Sequence, residues 1–370
     1  MGRLFYFLLV LLLTSCTIDE KKTSYIVDFD SLNVVEFSFD KFCDSIYPIF
    51  LLKQDKPAIL GGTLNIKMHN SEYYILDLKG NYSINVFNDK GIFVKSIGTF
   101  GRGPNEYISV TDFSINSDGS VDISVNEKGE VYKYESSGQY KSRVVTDIGY
   151  NYFEKNTIGN YYFTNYHKKN PGFNLLKYDS LGNFKEKFLP KEPMAINPVN
   201  ANAFWKFNDT LLFKDFYNST IYNIFNGELS KRYEINLGER SLKHIVVNAK
   251  NAQEYFGLLN SKKSLYLDKY MENEDFFVAI FGEGPAYKNL YYTFTDKKTK
   301  KTKCLFFDGE KLGKRYEAFW LTNDNCFFIL CNPGSFLKEN FIGIVDDAFF
   351  NKNRSEEIVI LKCKLASLKF

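Results

Sequence analysis

The feature that most constrains this chain is a repeat. The segments INVFNDKGIFVKSIG (84–98), VYKYESSGQYKSRVV (131–145) and LLKYDSLGNFKEKFL (175–189) share one plan: an apolar strand, a short turn closing on glycine, and a second strand. IYNIFNGELSKRYEI (221–235) fits with one residue deleted. The turn glycines Gly91, Gly138, Gly182 and Gly227 follow one another at intervals of 47, 44 and 45 residues. Glycine at the end of such a turn supplies the positive φ that the hairpin needs. A period near 45 in an all-strand pattern is that of propeller blades, each of four antiparallel strands. Composition agrees: 36 Phe and 26 Tyr bring aromatics to 17%, and aromatic residues favour strands. An apolar fraction of 44% with 25% charged residues excludes a disordered tail, a collagen and a coiled coil.

One blade can be traced in full. ISVTDFSI (108–115) is its innermost strand, Asn116–Gly119 turns the chain, and SVDISV (120–125) returns. Asn126 to Gly129 loop into EVYKYE (130–135), and Ser136-Ser137-Gly138 lead to the outer strand QYKSRVV. Later blades are less regular. Residues 241–262 carry helical spacing and predict an insertion between blades 4 and 5. Blade 5 then reads SLYLDKYM, DFFVAIF, NLYYTFTD and KTKCLFF, and blade 6 reads YEAFWLTN, CFFILC and EEIVILKCKL, interrupted by a helix near 336–350. Blade 6 is one strand short. A strand from the other terminus would close the ring and remove the free edge, and YIVDFD (25–30) is the segment expected to do so. The expected fold is therefore an all-β, six-bladed β-propeller over residues 25–370, closed by an N-terminal strand.

The first residues read as an address. In MGRLFYFLLVLLLTSC, Arg3 supplies a positive n-region, and Leu4 to Leu13 form an apolar run too short to span a bilayer. The ending Leu13-Thr14-Ser15-Cys16 resembles the lipobox of bacterial lipoproteins. That resemblance implies a signal peptide over 1–15, lipid attachment at Cys16 and a polar tether over 16–24. It places the protein in the cell envelope, anchored to a membrane, with the outer membrane as the expected site. Asp19-Glu20 resembles the acidic export signals of Bacteroidota surface lipoproteins. The remaining cysteines, Cys43, Cys304, Cys326, Cys331 and Cys363, are odd in number and cannot all pair. Cys326 and Cys331 would lie about 17 Å apart on opposite faces of one strand, so buried free thiols are expected.

Gly101-Arg102-Gly103-Pro104-Asn105-Glu106-Tyr107 follows the outer strand of blade 1. It is similar to the Gly-x-Gly-Pro-Gly-Glu-Tyr signature of the six-bladed, NHL-like β-propeller lipoproteins of Bacteroidota. Asn105 stands where that pattern has Gly, and Asn tolerates left-handed φ well. The resemblance implies the fold and the address, and it carries no catalytic residues. Read from its residues, the segment is a fixed bend between blades in which Glu106 bonds local amides. Arg102, Glu106 and Tyr107 are also candidate ligand contacts.

Catalytic signatures are absent from the sequence: there is no Gly-x-Ser-x-Gly elbow, no Gly-x-x-x-x-Gly-Lys loop and no His-Glu-x-x-His. The three histidines, His69, His167 and His244, sit in or beside predicted loops. Asp112 to Gly119 faintly echoes a calcium loop, but Asn116-Ser117-Asp118-Gly119 reads as a hairpin turn and no Glu follows at the twelfth position. No catalytic residue, metal or cofactor is assigned. A formal charge of +3 gives no reason to expect nucleic acid. In a propeller, the connections between blades share a face with the loops between second and third strands. That face collects the binding candidates: Arg102, Glu106, Tyr107, Glu127, Tyr166, His167, Lys168, Tyr217, Glu283, Tyr287 and Lys288. Mixtures of Tyr, Lys, Arg and Asn on a rigid scaffold suit a glycan, a peptide or a protein partner. The reading is a non-catalytic binding scaffold. The alternative is an envelope hydrolase or lyase using carboxylates such as Glu106, Glu127 or Glu283.

Overall fold

The computed structural model describes residues 25–365, apart from 55, 62–63, 126–128, 148–151, 165–171, 192–201, 216–218, 247–248, 262–263, 285–288, 309–316 and 332–357. Six four-stranded antiparallel sheets form the blades of a β-propeller ring. Their innermost strands are Leu64–His69, Asp112–Ile115, Phe153–Lys155, Phe204–Phe207, Leu265–Glu272 and Glu317–Leu321. Strands of blades 1 to 5 pair in sequence order, as the repeat predicts. The blade 5 segments read from the sequence appear as Leu265–Glu272, Phe276–Glu283, Asn289–Asp296 and Thr302–Asp308.

The repeat's glycines hold the ring together at its rim. Gly91, Gly138, Gly182 and Gly227 all have φ between +79° and +93°. A Cβ on Gly182 would meet the carbonyl oxygen of Val145, on the preceding blade's outer strand, at 2.4 Å. One on Gly91 would meet that of Phe50 at 2.2 Å. Both turns therefore need glycine twice, for left-handed backbone and for close approach to the next sheet.

Closure differs from expectation in the strand used. Cys43–Phe50 is the fourth strand of blade 6, antiparallel to Val359–Leu365 along its whole length. Tyr25–Asp28 instead lies parallel to the outer strand of blade 4, with Tyr25 opposite Tyr233 and Asp28 opposite Asn236. Val34–Glu36 adds in the same way to blade 5. The physical reason is length and anchoring. A four-residue strand cannot cover a seven-residue edge, whereas the eight residues from Cys43 can. Phe29, immediately after the first strand, is buried between Phe281 and Tyr291 at 5.5 and 5.0 Å, which fixes that segment at blades 4 and 5. Pro48 is tolerated in the closing strand because that strand is the sheet edge.

The N-terminal residues thus run as a strap over blades 4 and 5 before closing blade 6. Phe37, Phe39 and Phe42 bury into the core shared by blades 4, 5 and 6, with Phe42 stacked on Phe294 at 5.3 Å. The predicted insertion is present as helices Leu242–Val246 and Ala252–Ser261, packed through Leu242, Ile245, Tyr255, Leu259 and Tyr266. The helix expected near 336–350 lies outside the described residues. Cys43, Cys304, Cys326, Cys331 and Cys363 are all buried free thiols.

Candidate functional site

Of the loop-face candidates, Arg102, Glu106, Tyr107 and Glu283 are described; Glu127, Tyr166, His167, Lys168, Tyr217, Tyr287 and Lys288 lie outside the described residues, as does Cys16. The Gly101–Tyr107 bend is built from its own residues. Glu106 accepts the Gly103 N–H at 2.6 Å, and a Cβ on Gly101 would fall 2.0 Å from the same carboxylate. Asn105 takes φ +63°, so the departure from glycine is absorbed by left-handed backbone. Tyr107 is buried and donates its hydroxyl to the Tyr82 carbonyl at 2.8 Å. Burial pushes that phenol well above its ordinary range. Arg102 is exposed. Glu283 is held by Arg240 at 2.5 Å and by the Asn289 amide at 2.6 Å, and Arg240 in turn covers Phe29 and Tyr291. Glu106, Tyr107 and Glu283 therefore serve the scaffold, and Arg102 stands on the face as an available cation. The Asp112–Gly119 segment is a strand and a hairpin turn, with Gly119 N–H on the Asn116 carbonyl at 3.0 Å.

A concavity also lies on the ring axis, away from the loop-face candidates. A cavity of about 430 Å³ is lined by the innermost strands of all six blades. Each of these strands contributes a charged side chain to it, Lys67, Asp112, Glu154, Lys206, Lys269 and Glu317, and the first adds His69. They pair from blade to blade, mostly between neighbours. Lys67 lies 3.4 Å from Asp112 and 3.0 Å from Glu154, Lys206 lies 2.9 Å from Glu154, and Lys269 lies 2.7 Å from Glu317. Ser114 also donates to Glu154, and Asn65 donates to Asp112 at 2.8 Å. Asp112 further accepts the N–H groups of Phe113 and Phe153 at 2.8 and 3.1 Å.

The two buried carboxylates respond in opposite directions. Burial raises Asp112, and Lys67 does not fully offset it. Burial would raise Glu154 too, but Lys206 and Lys67 overcome it and hold the group at about 2. Both oxygens of each carboxylate are occupied by protein donors, which leaves them as fasteners between blades rather than as proton-transfer groups. A pH effect follows. A carboxylate depressed in the fold adds stability above its unfolded value, near 4.5, and loses it as pH falls toward about 2. The stability gap between the parent and Glu154→Gln, measured by urea unfolding, should shrink by about 3 kcal/mol from pH 6 to pH 2. Asp112, shifted upward by burial and in part by the Glu154 charge itself, takes up its proton earlier and with the opposite sign, and Glu154→Gln weakens that upward shift. An unchanging gap would show that Glu154 is not held ionised by the lysines.

Aliphatic and aromatic side chains share the rest of the wall. The sequence has two tryptophans, and both line this cavity. Trp205 of blade 4 and Trp320 of blade 6 meet over blade 5, with ring centroids 4.7 Å apart. Trp205 is buried and donates its indole N–H to the Glu272 carbonyl at 2.9 Å. The signal for this site is a lysine, aspartate or glutamate in every inner strand: LNIKMH, DFSI, FEK, FWKF, LYLDKYME and EAFWL.

These features define a six-bladed propeller with an ion-paired, aromatic axis. The chain belongs to the family DUF4934, a domain of unknown function, whose model matches residues 24–365. It is similar to a structure described as an exported protein from Bacteroides fragilis NCTC 9343: TM-score 0.72, 17% identity, covering 92% of this chain and 99% of that one. It is also similar to a DUF4221 family member from Bacteroides vulgatus ATCC 8482: TM-score 0.56, 11% identity, covering 87% and 96% of the two chains. At these identities the likeness shows the fold. No curated protein matches the chain.

Proposed function

We propose that this protein is a non-catalytic binding propeller of the cell envelope, anchored through Cys16, which receives a glycan, peptide or protein partner on its loop-bearing face. The observation that carries the reading is the state of the charged groups. The carboxylates of the axis and Glu283 are held in ion pairs and hydrogen bonds, which suits a rigid scaffold and, among the described residues, leaves these carboxylates without a poised acid–base role. Arg102 is exposed on the face where the blade connections emerge. The lipobox-like Leu13-Thr14-Ser15-Cys16 supports the anchor, and the exported description of the Bacteroides fragilis protein agrees with an envelope address.

The test is a thermal-shift screen of the chain from residue 17 onward against glycans and peptides. A saturable rise in melting temperature without turnover of the ligand is expected. Arg102→Ala and Tyr287→Ala should each weaken the ligand found by roughly 1–3 kcal/mol while melting like the parent. Turnover of a bound glycan would replace this reading with the envelope hydrolase or lyase. Cys16→Ala should abolish incorporation of labelled palmitate, and persistent labelling would remove the anchor from the proposal.

A further inference from the structure

The axial cavity continues to the face opposite the blade connections. There it opens through a mouth of about 310 Å³ whose wall includes His69, Asn70, Lys206, Asn208, Trp320 and Asn323. We propose that this end of the axis is a separate binding site for an uncharged saccharide of one or two sugar units, stacked on Trp320. The inference goes beyond the loop-face reading, because it places a different ligand at the other end of the ring.

Four observations converge on that ligand class. The space falls within the range of about 300–1,000 Å³ usual for small-molecule sites. Trp205 is fixed in the wall by its bond to Glu272, whereas Trp320 is partly exposed and lines both the cavity and its mouth. An indole face held in place beside polar groups is the surface that the C–H face of a pyranose covers. The charges of the axis cancel, since Lys67, Lys206 and Lys269 are spent on Asp112, Glu154 and Glu317. At the rim of this mouth, Glu272 is likewise held by Arg232, Lys297 and Tyr233. An anionic or cationic ligand would have to displace a partner from one of these pairs to find a counter-charge. A neutral ligand would not.

The fourth observation is the polar rim. Burial lowers His69 from the ordinary imidazole value, which favours its neutral form. Its Nε2 lies 3.0 Å from the Asn70 amide nitrogen, a contact that the neutral ring makes as an acceptor when Nδ1 carries the proton. Asn70, Asn208 and Asn323 are exposed around it. Neutral imidazole and carboxamides both donate and accept, which matches hydroxyls that do the same.

The chain provides its own reporter, since both tryptophans lie on this cavity. Tryptophan emission of the chain from residue 17 onward is titrated with glucose, galactose, mannose and N-acetylglucosamine and with their disaccharides. The matching uronates and N-acetyl tripeptide amides form two further arms. A saturable change is expected with at least one neutral saccharide, and its uronate should bind at least ~10-fold more weakly. His69→Ala should weaken the saccharide by about 10-fold, the size of one lost polar contact. Trp320→Phe should also weaken it while keeping an aromatic ring in the wall. Both variants are checked by melting curves, and Arg102→Ala is titrated beside them to tell the two faces apart. The site is overturned if no neutral saccharide saturates the signal up to the order of 100 mM. It is also overturned if uronates or peptides bind as tightly, or if His69→Ala binds like the parent. Loss of saccharide in Arg102→Ala but not in His69→Ala would move the ligand to the loop face, overturning this site while leaving the binding function intact.

Discussion

A chain that begins after Phe50 should show no cooperative melting transition, whereas one that lacks only residues 25–30 should still fold. The first truncation removes the strand that pairs with all of Val359–Leu365, leaving a seven-residue edge in a sheet that belongs inside a closed ring. It also removes Phe37, Phe39, Phe42 and Ile46 from a core that they share with blades 4, 5 and 6. Four buried apolar side chains at about 1.5–3 kcal/mol each approach or exceed the ~5–15 kcal/mol by which a domain is stable. The seat of the Gly91 turn on Phe50 goes as well, which loosens blade 1. The shorter truncation takes only a four-residue parallel strand with Val27 and Phe29. Its cost is about 3–6 kcal/mol, read as a melting temperature lower by roughly 10 °C. Circular dichroism melts of the two proteins decide the matter. If the chain from residue 51 melts cooperatively near the parent, the closure through Cys43–Phe50 is not what holds the ring.

The second large effect should come from Glu272, the last residue of blade 5's innermost strand. Its side chain is fully buried and gathers Lys297 at 2.7 Å, the Tyr233 hydroxyl at 2.7 Å and both Nε and Nη2 of Arg232. Arg232 belongs to the outer strand of blade 4, so this carboxylate joins two blades. Glu272→Ala leaves two cations in a desolvated site without their counter-charge. Such a loss costs about 3–5 kcal/mol, more than the pair itself contributes. Glu272→Gln keeps the shape and part of the hydrogen bonding, yet should recover less than half of the loss. Urea unfolding of the three proteins gives the values, and a cost below about 1 kcal/mol for Glu272→Ala would show that water reaches the cations.

Blade period, strand order and the helices after blade 4 were legible because the residues that encode them act locally. Gly138 and Gly182 mark turns whatever the tertiary context, and the alternation Val121, Ile123, Val125 marks a strand in blade 2. The closing strand was misassigned because closure is a non-local choice. Tyr25–Asp28 and Cys43–Phe50 are both plausible strands, and only the length of the partner edge and the burial of Phe29 separate them. The bend at Gly101–Tyr107 was readable as structure, since Glu106 and the two glycines sit within hydrogen-bond reach in sequence. The axial ion pairs were not readable. Lys67 and Glu154 are 87 residues apart and come together only when six innermost strands are set around one axis. A charged residue in a half-buried strand looks solvent-facing until the ring shows that both faces are covered. The tryptophans carried the same hidden meaning: Trp205 and Trp320 are distant in sequence and meet over a blade that contains neither.

The strap described above also determines how the ring meets mechanical load. Tension drawn through the residues before Tyr25 reaches blade 4 first, along a parallel strand loaded in shear. It must then withdraw Phe29 from between Phe281 and Tyr291, and next part Val34–Glu36 from blade 5. Only after those bonds yield does force arrive at Cys43 and the latch of the ring. Two short strands and an aromatic plug therefore act as strain relief. A pull from the N-terminal side spends itself on the rim of blades 4 and 5, while the six inner strands and the cavity they enclose keep their geometry.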